Sequence, residues 1–176
     1  MKTAATNAKT KTAKNGLHPT KNDLPQADRE KLVALLNARL ADSLDLRMQA
    51  KQAHWNVKGP QFIALHKLFD EVADAVEAGY DEIAERAVQL GGTALGTVQA
   101  VGATTSLKPY PIDISAGADH VEALASALAA FGESLRDAID AADELGDADT
   151  ADLFTGISKT TDKYLWFVEA HQQATR

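Results

Sequence analysis

The chain of 176 residues lacks cysteine altogether and has no long apolar run. Without cysteine it can form neither a disulfide scaffold nor a thiolate zinc site. No apolar stretch is long enough to cross a bilayer, and the N-terminus lacks the apolar segment of a secretory signal. These absences predict a cytoplasmic protein that does not span a membrane.

Acidic side chains are absent from the first 22 residues, which also contain almost nothing apolar. The five lysines of this segment are Lys2, Lys9, Lys11, Lys14 and Lys21. The rest of the chain carries 13 basic and 25 acidic side chains, a net charge of −12. We therefore predict a disordered tail over residues 1–22 and a folded domain over residues 23–176. A basic tail on an acidic body favours a polyanion as the partner of the tail.

Apolar residues recur every three or four positions through most of the remaining chain, and no stretch alternates as a β-strand does. This pattern predicts an all-α fold with four long helices. The predicted helices are A over 26–57, B over 61–90, C over 118–145 with Ser115 as its cap, and D from Asp147 or Asp149 to His171. The turn Lys58-Gly59-Pro60 ends helix A and Gly91-Gly92 ends helix B.

The segment 93–117 is a long connection for a compact domain, and such a length needs a reason. A crossover between parallel helices of a four-helix bundle is one such reason. A short helix near Thr97–Val101 fits inside it. The sequence therefore predicts a bundle of four long helices with a long connection between helices B and C.

Five side chains capable of binding a metal lie between residues 54 and 85: His54, His66, Asp70, Asp81 and Glu85. His66 and Asp70 are four residues apart on helix B and share a face, as do Asp81 and Glu85. The two pairs lie on one stripe but are about 16 Å apart along the axis, because a helix rises about 1.5 Å per residue. One chain cannot close that gap around one metal.

Two chains related by a two-fold axis can close the gap. Antiparallel copies of helix B set the His66 and Asp70 end of one chain beside the Asp81 and Glu85 end of the other, which generates two identical sites. His54 lies about as far before the turn as His66 lies after it, so we expect the two imidazoles to be level. Mixed imidazole and carboxylate ligands suit Fe(II), Mn(II) or Zn(II) better than Mg²⁺ or Ca²⁺.

Taken singly, each of these residues is as well explained by a helix end or a solvated face, and only their joint spacing favours a metal site. A helical bundle that binds zinc or manganese without redox chemistry also stays open at this point. His120 and His171 lie near predicted helix ends, where capping or exposure is the ordinary expectation.

Several segments carry a resemblance to a known family, and together they cover nearly the whole chain after the tail. They are QAHWNVKGPQF, the pair His66 and Asp70, AERAVQLGG, ALGT, YPIDI, DTAD and DKYLWFVE. In these segments and in the spacing of the five candidate ligands the chain resembles the Dps proteins, or miniferritins. The larger-shell ferritins place Glu-x-x-His on their bundle helices, a pattern that this sequence lacks.

The resemblance implies a ferritin-like four-helix bundle with a short helix between helices B and C, assembled as a hollow homododecamer. It implies two iron ions per site between subunits, with His54, His66 and Asp70 from one subunit and Asp81 and Glu85 from its partner. It also implies oxidation of Fe(II), preferably by hydrogen peroxide rather than dioxygen, and storage of Fe(III). Trp55 would then lie near the site, where radicals are quenched. Acidic residues between helices C and D would line pores that admit Fe(II): Asp140, Asp143, Glu144, Asp147, Asp149 and Asp152.

The resemblance further implies DNA binding through a lysine-rich end, which assigns that role to the five tail lysines and a nucleoid location to the protein. Such binding neutralises phosphates and is independent of base sequence. Two alternatives remain. One is a nucleoid-compacting protein with little ferroxidase activity, and the other is an iron-storage shell that does not bind DNA.

Overall fold

Four long helices and one short helix make up the part of the chain that the computed structural model describes, residues 16–173. They are α1 (Gln26–Asn56), α2 (Phe62–Gln89), α3 (Val98–Thr104), α4 (Gly117–Glu144) and α5 (Ala148–Gln173). The predicted all-α fold is confirmed, and the bounds of helices A to D agree to within one or two residues. None of these helices is both long and apolar enough to cross a membrane.

The helices form two hairpins, α1 with α2 and α4 with α5, and the hairpins join where α1 packs on α4 and α2 packs on α5. The apolar positions recur at helical spacing, so each of the four long helices turns one stripe inward. The largest fully buried side chains are Phe69, Phe131, Phe154, Leu32, Leu36, Leu40, Leu46, Leu65, Ile83, Leu90, Leu124 and Leu128. This shared core fixes the relative positions of α1 and α2, the two helices that carry the candidate metal ligands.

Glycines with positive φ end three of the long helices. Gly59 follows α1 at φ 113°, Gly91 follows α2 at φ 87° and Gly146 follows α4 at φ 75°. After α2 the Gly92 amide donates to the carbonyl five residues earlier at 2.9 Å, which is the bond that closes a helix in a Schellman motif. The two predicted stops at Gly59 and Gly91 are confirmed.

The long connection runs along α1 from its beginning to its end. Arg29 donates to the carbonyl of Leu90 at 3.0 Å, and Asn37 donates to the carbonyl of Thr93 at 3.0 Å. Further along, Asp42 accepts from the Ser106 amide at 2.6 Å and Gln49 donates to the Lys108 carbonyl at 3.1 Å. The Lys58 amide finally donates to the Ser115 carbonyl at 2.9 Å. The start of α4 therefore lies beside the end of α1, so α4 is parallel to α2, as the predicted crossover requires.

Two details of α4 were predicted wrongly. The helix is preceded by Ala116, which makes no side-chain cap, and Ser115 uses its carbonyl to pair with Lys58 instead of capping the helix. His120 is neither a cap nor exposed, because its side chain is 1% exposed and lies under the connection.

The start of α5 is capped by Asp147, one of the two predicted residues. Its carboxylate accepts from the Thr150 amide at 3.2 Å and pairs with the Arg86 guanidinium at 2.7 Å. Asp147 is 3% exposed, so it serves the fold here, unlike Asp140, Asp143, Glu144, Asp149 and Asp152, which are exposed.

Candidate metal centre

Two imidazoles face each other across the turn between α1 and α2. The rings of His54 and His66 are stacked, with centroids 3.8 Å apart and planes at 19°. His54 lies in the last turn of α1 and His66 near the start of α2. The prediction that the hairpin sets them level is confirmed.

Each imidazole is held by the backbone of the other. His54 Nδ1 lies 2.6 Å from the His66 carbonyl oxygen, and His66 Nδ1 lies 2.8 Å from the His54 carbonyl oxygen. A carbonyl oxygen only accepts, so in both neutral rings Nδ1 carries the proton and Nε2 keeps its lone pair. The carbonyl of His54 is among the last four of α1, which have no partner inside the helix. These bonds fix the tautomer and orientation that a metal-binding histidine needs.

Asp70 lies one helical turn after His66 and completes this group on one chain. Its Oδ1 is 3.9 Å from His54 Nδ1, and its side chain is 43% exposed. The hydrogen bond from Lys51 holds the pKa of the Asp70 carboxyl below its ordinary value. The positive charge of Lys51 acts in the same direction, and partial burial opposes both. Asp70 is therefore an ionised carboxylate that is already ion-paired with the Lys51 ammonium.

Lys51 is a member of this site that the sequence interpretation missed. Its ammonium is ion-paired with Asp70 and lies 5.9 Å from the centroid of the Trp55 ring. Lys51 precedes His54 by three residues and so shares its face of α1. That spacing was a signal available in the sequence. Trp55 itself is 59% exposed beside His54.

The other two predicted ligands, Asp81 and Glu85, do not approach this group within one chain. Both are exposed on α2, and Asp81 follows Asp70 by eleven residues of continuous helix, about 16 Å along the axis. Between residues 16 and 173, no three histidine, aspartate or glutamate side chains come together in a way that could hold a metal ion. A single chain thus carries the predicted ligands in two separate groups, which we call half-sites: His54, His66 and Asp70 form the first, and Asp81 and Glu85 form the second.

Of the tail lysines, Lys2, Lys9, Lys11 and Lys14 lie outside the described residues, and Lys21 is exposed. The part of the predicted tail that is described lies against the bundle. The His18 amide donates to the Gly91 carbonyl at 2.7 Å, at the end of α2.

Comparison with known proteins gives relatives along nearly the whole chain. A family model for the ferritin-like domain matches residues 33–176. The DNA protection during starvation protein of Agrobacterium fabrum (strain C58) is 52% identical over 156 residues, which are 89% of this chain and 96% of the relative. The structure of DpsA14 from Streptomyces coelicolor matches with a TM-score of 0.84 at 34% identity, covering 89% of this chain and 94% of that one. Dps from Microbacterium arborescens in the high iron form matches with a TM-score of 0.79 at 31% identity, covering 87% and 97%.

Proposed function

The chain belongs to the Dps family of ferritin-like proteins, and we propose that it is a ferroxidase and iron store. It oxidises Fe(II) at di-iron sites between subunits, with hydrogen peroxide preferred over dioxygen, and stores Fe(III) inside a hollow dodecamer. The observation that carries the proposal is the stacked pair of His54 and His66. Both rings are held through Nδ1, so both offer Nε2 to a metal.

The two-fold partner would complete each site by placing its Asp81 and Glu85 opposite His54, His66 and Asp70. Exposed apolar side chains support pairing along α2, because they flank both half-sites. Phe62 and Ile63 precede the first half-site, and Val88 follows the second; they are 45%, 59% and 56% exposed. Isolated exposed apolar residues are ordinary, but a set placed at both ends of one helix suits an isologous interface.

The proposed ligands explain why iron chemistry at this site would be safe for DNA. Two ferrous ions held together give two electrons to one hydrogen peroxide molecule, which yields Fe(III) and water and releases no hydroxyl radical. The carboxylates favour the harder Fe(III) ion, and the chain has no thiol for peroxide to consume. Trp55, next to His54, would quench radicals that escape, and the exposed acidic residues near the start of α5 would attract Fe(II) towards pores.

Stopped-flow oxidation of Fe(II) by hydrogen peroxide tests the site. The double variant His54→Ala and His66→Ala should oxidise Fe(II) at least about tenfold more slowly, since even removal of a group that supports a metal ligand reduces activity by about 10- to 100-fold. The matched control is His171→Ala, which removes an imidazole that is not a proposed ligand from the last turn of α5. Size-exclusion chromatography checks that the shell persists. Unchanged kinetics in the double variant would refute the assignment, and retention of zinc or manganese without iron oxidation would favour a non-redox metal bundle.

DNA binding is the second part of the proposal, with the protein in the cytoplasm and at the nucleoid. The relative from Agrobacterium fabrum is named for DNA protection, and the lysines of residues 1–22 are the basic segment on an acidic chain. Twelve tails on one shell would bind with avidity although each binds weakly.

A gel shift on plasmid DNA at two salt concentrations tests this part. Deletion of residues 1–15 removes four of the five lysines and keeps the His18 contact with Gly91. The deletion should abolish the shift and leave iron oxidation unchanged, and glutamine at the same four lysines is the matched control for length. A shift that survives both changes would contradict the tail assignment. No shift by the full chain would leave an iron-storage shell that does not bind DNA, whereas DNA protection without iron oxidation would favour a nucleoid-compacting protein.

A further inference from the structure

A hydrogen-bonded pair of a half-buried tyrosine, Tyr110, and a buried histidine, His120, lies near the first half-site and is not among the proposed iron ligands. The hydroxyl oxygen of Tyr110 is 2.8 Å from His120 Nδ1. The two rings are nearly parallel, with planes at 17° and centroids 6.0 Å apart. Tyr110 belongs to the connection and His120 to the first turns of α4. One hydrogen bond between two groups that can both exchange protons therefore joins these elements.

The surroundings of His120 determine which of the two groups donates this hydrogen bond. The backbone carbonyls of Asn56 and Ile114 face the ring, and burial lowers the pKa of His120, so the imidazole is neutral. Nε2 is buried and makes no hydrogen bond of ordinary geometry among the described residues. The Tyr110 hydroxyl lies at Nδ1, which leaves Nε2 to face the carbonyls. Because carbonyls only accept, we assign the single ring proton to Nε2 and the lone pair to Nδ1. The Tyr110 hydroxyl then donates to His120.

The pair is close to the proposed iron site along two helices. Asn56, whose carbonyl faces the His120 ring, follows His54 by two residues on the last turn of α1. The ring of Phe69, which directly precedes Asp70 on α2, has its centroid 6.5 Å from that of His120. The Phe69 and His120 rings thus connect the part of α2 next to Asp70 with Tyr110.

Tyr110 also lines an open cavity that none of the five predicted ligands lines. This cavity of about 540 Å³ lies between the connection and α4, and Gln49, Lys108 and Glu122 line it together with Tyr110. A small reductant can therefore approach the tyrosine without passing through the iron site.

We propose that Tyr110 and His120 form a proton-coupled electron donor that reduces the hydroxyl radical produced when a single Fe(II) meets hydrogen peroxide. Tyr110 gives one electron to the radical, which becomes hydroxide, and the phenolic proton moves to His120 Nδ1. Phenol, imidazole and hydroxyl radical are thereby converted into neutral tyrosyl radical, imidazolium and hydroxide. The proposal rests on the proposed ferroxidase function and covers the case in which the second iron is missing. A site that holds only one iron is expected because the Asp70 carboxylate is already ion-paired with the Lys51 ammonium.

The half-buried location of Tyr110 explains why a base is needed. Burial raises the pKa of the Tyr110 hydroxyl, so the phenol keeps its proton until it is oxidised. An oxidised phenol that kept its proton would place an unpaired positive charge in a medium of low dielectric constant. Transfer to His120 moves the charge to an imidazolium ring that two backbone carbonyls face.

Photo-oxidation of the metal-free full-length protein tests the pair without iron. Tris(bipyridine)ruthenium(III) generated by a flash is the oxidant, and electron paramagnetic resonance detects the neutral tyrosyl radical. Tyr110→Phe should lose at least half of the tyrosyl signal, while the matched control Tyr164→Phe should keep it. His120→Phe should slow radical formation about 10²-fold, the lower end of general-base effects, and should make the rate rise with pH as solvent replaces the lost base. Circular dichroism confirms that each variant keeps its helices.

A second experiment supplies one Fe(II) per subunit with hydrogen peroxide and counts hydroxyl radical by spin trapping. Tyr110→Phe should at least double the trapped radical relative to Tyr164→Phe. The pair is structural and the proposal is overturned if photo-oxidation gives the same tyrosyl signal in Tyr110→Phe as in the unaltered protein. It is also overturned if His120→Phe leaves the pH dependence of the rate of radical formation unchanged. If the photo-oxidation results hold but the protein does not oxidise Fe(II), the proposed ferroxidase function fails instead.

Discussion

Replacement of Lys51 by methionine should tighten the binding of a divalent ion at the half-site. The Lys51 ammonium occupies the Asp70 carboxylate and lowers its pKa. A metal ion must displace this ammonium before Asp70 can bind it. Methionine keeps the apolar length of the lysine stem and removes the competing charge, so it isolates the effect of the ion pair.

The size of the effect follows from the exposure of the two side chains. Lys51 and Asp70 are 21% and 43% exposed, so water screens their interaction, and exposed ion pairs contribute about 0.2–1 kcal/mol. Because about 1.4 kcal/mol corresponds to a tenfold change in affinity, loss of the pair alone should tighten binding by roughly 1.5- to 5-fold. Removal of the repulsion between ammonium and the divalent ion acts in the same direction, which extends the expected range to about tenfold.

Anaerobic titration of the assembled protein with Co(II), followed by its visible absorption, measures this affinity without turnover. Lys51→Arg keeps the charge and a donor to Asp70, so its dissociation constant should stay close to that of the unaltered protein. Lys67→Met removes an exposed lysine next to His66 on α2 and is the control for a change of net charge. The reasoning is refuted if Lys51→Met binds Co(II) no more tightly than Lys67→Met does.

Three further predictions concern the stability of the bundle. Asp147→Asn removes the buried charged partner of the Arg86 guanidinium and leaves only the exposed Asp149 at 3.8 Å. The free energy of unfolding should therefore fall by about 2–3 kcal/mol, which urea unfolding at fixed protein concentration measures. Burial lowers the pKa of His120 below its ordinary 6.5, so below pH 6.5 the unfolded chain takes up a proton that the folded chain does not. Stability should therefore decrease from pH 6.5 down to the lowered folded pKa, by at most about 1.4 kcal/mol per pH unit, and a profile unchanged by replacement of this histidine would contradict the assignment. A Cβ added at Gly92 would lie 2.4 Å from a methyl group of Val33, so Gly92→Ala should lower the thermal midpoint. None of the atoms described lies within 4 Å of a Cβ added at Gly156 in the interior of α5, so Gly156→Ala should raise the thermal midpoint.

The helices were predictable because their signals are local. Apolar spacing of three and four residues, and glycines that adopt positive φ, act within one or two turns of chain. His54 and His66 were placed level for the same reason, since only a short turn separates them. Gly146 ends α4 just as Gly91 ends α2, and it could have been identified by the same rule.

The buried polar residues of α1 were not predictable in this way. Asn37, Asp42 and Gln49 have 9%, 0% and 5% of their surface exposed, although a helical pattern assigns such residues to solvent. Their partners are backbone groups of the connection, 56 to 64 residues further along the chain. Which residues of α1 the connection would cover depends on a path that is set by its whole length. The burial of His120 has the same origin, because Tyr110 of the connection lies over it.

The candidate site also has a part that is set by local sequence and a part that depends on distant residues. Both imidazoles are oriented by backbone carbonyls of their own hairpin, so their tautomers are set before any partner arrives. Asp81 and Glu85 lie on the same helix as His66, but the rigidity of α2 keeps them about three turns away from Asp70. We therefore expect assembly to supply carboxylates to a preorganised imidazole pair. If so, Co(II) binding should weaken when the α2 interface is disrupted, even though the stacked rings remain in place.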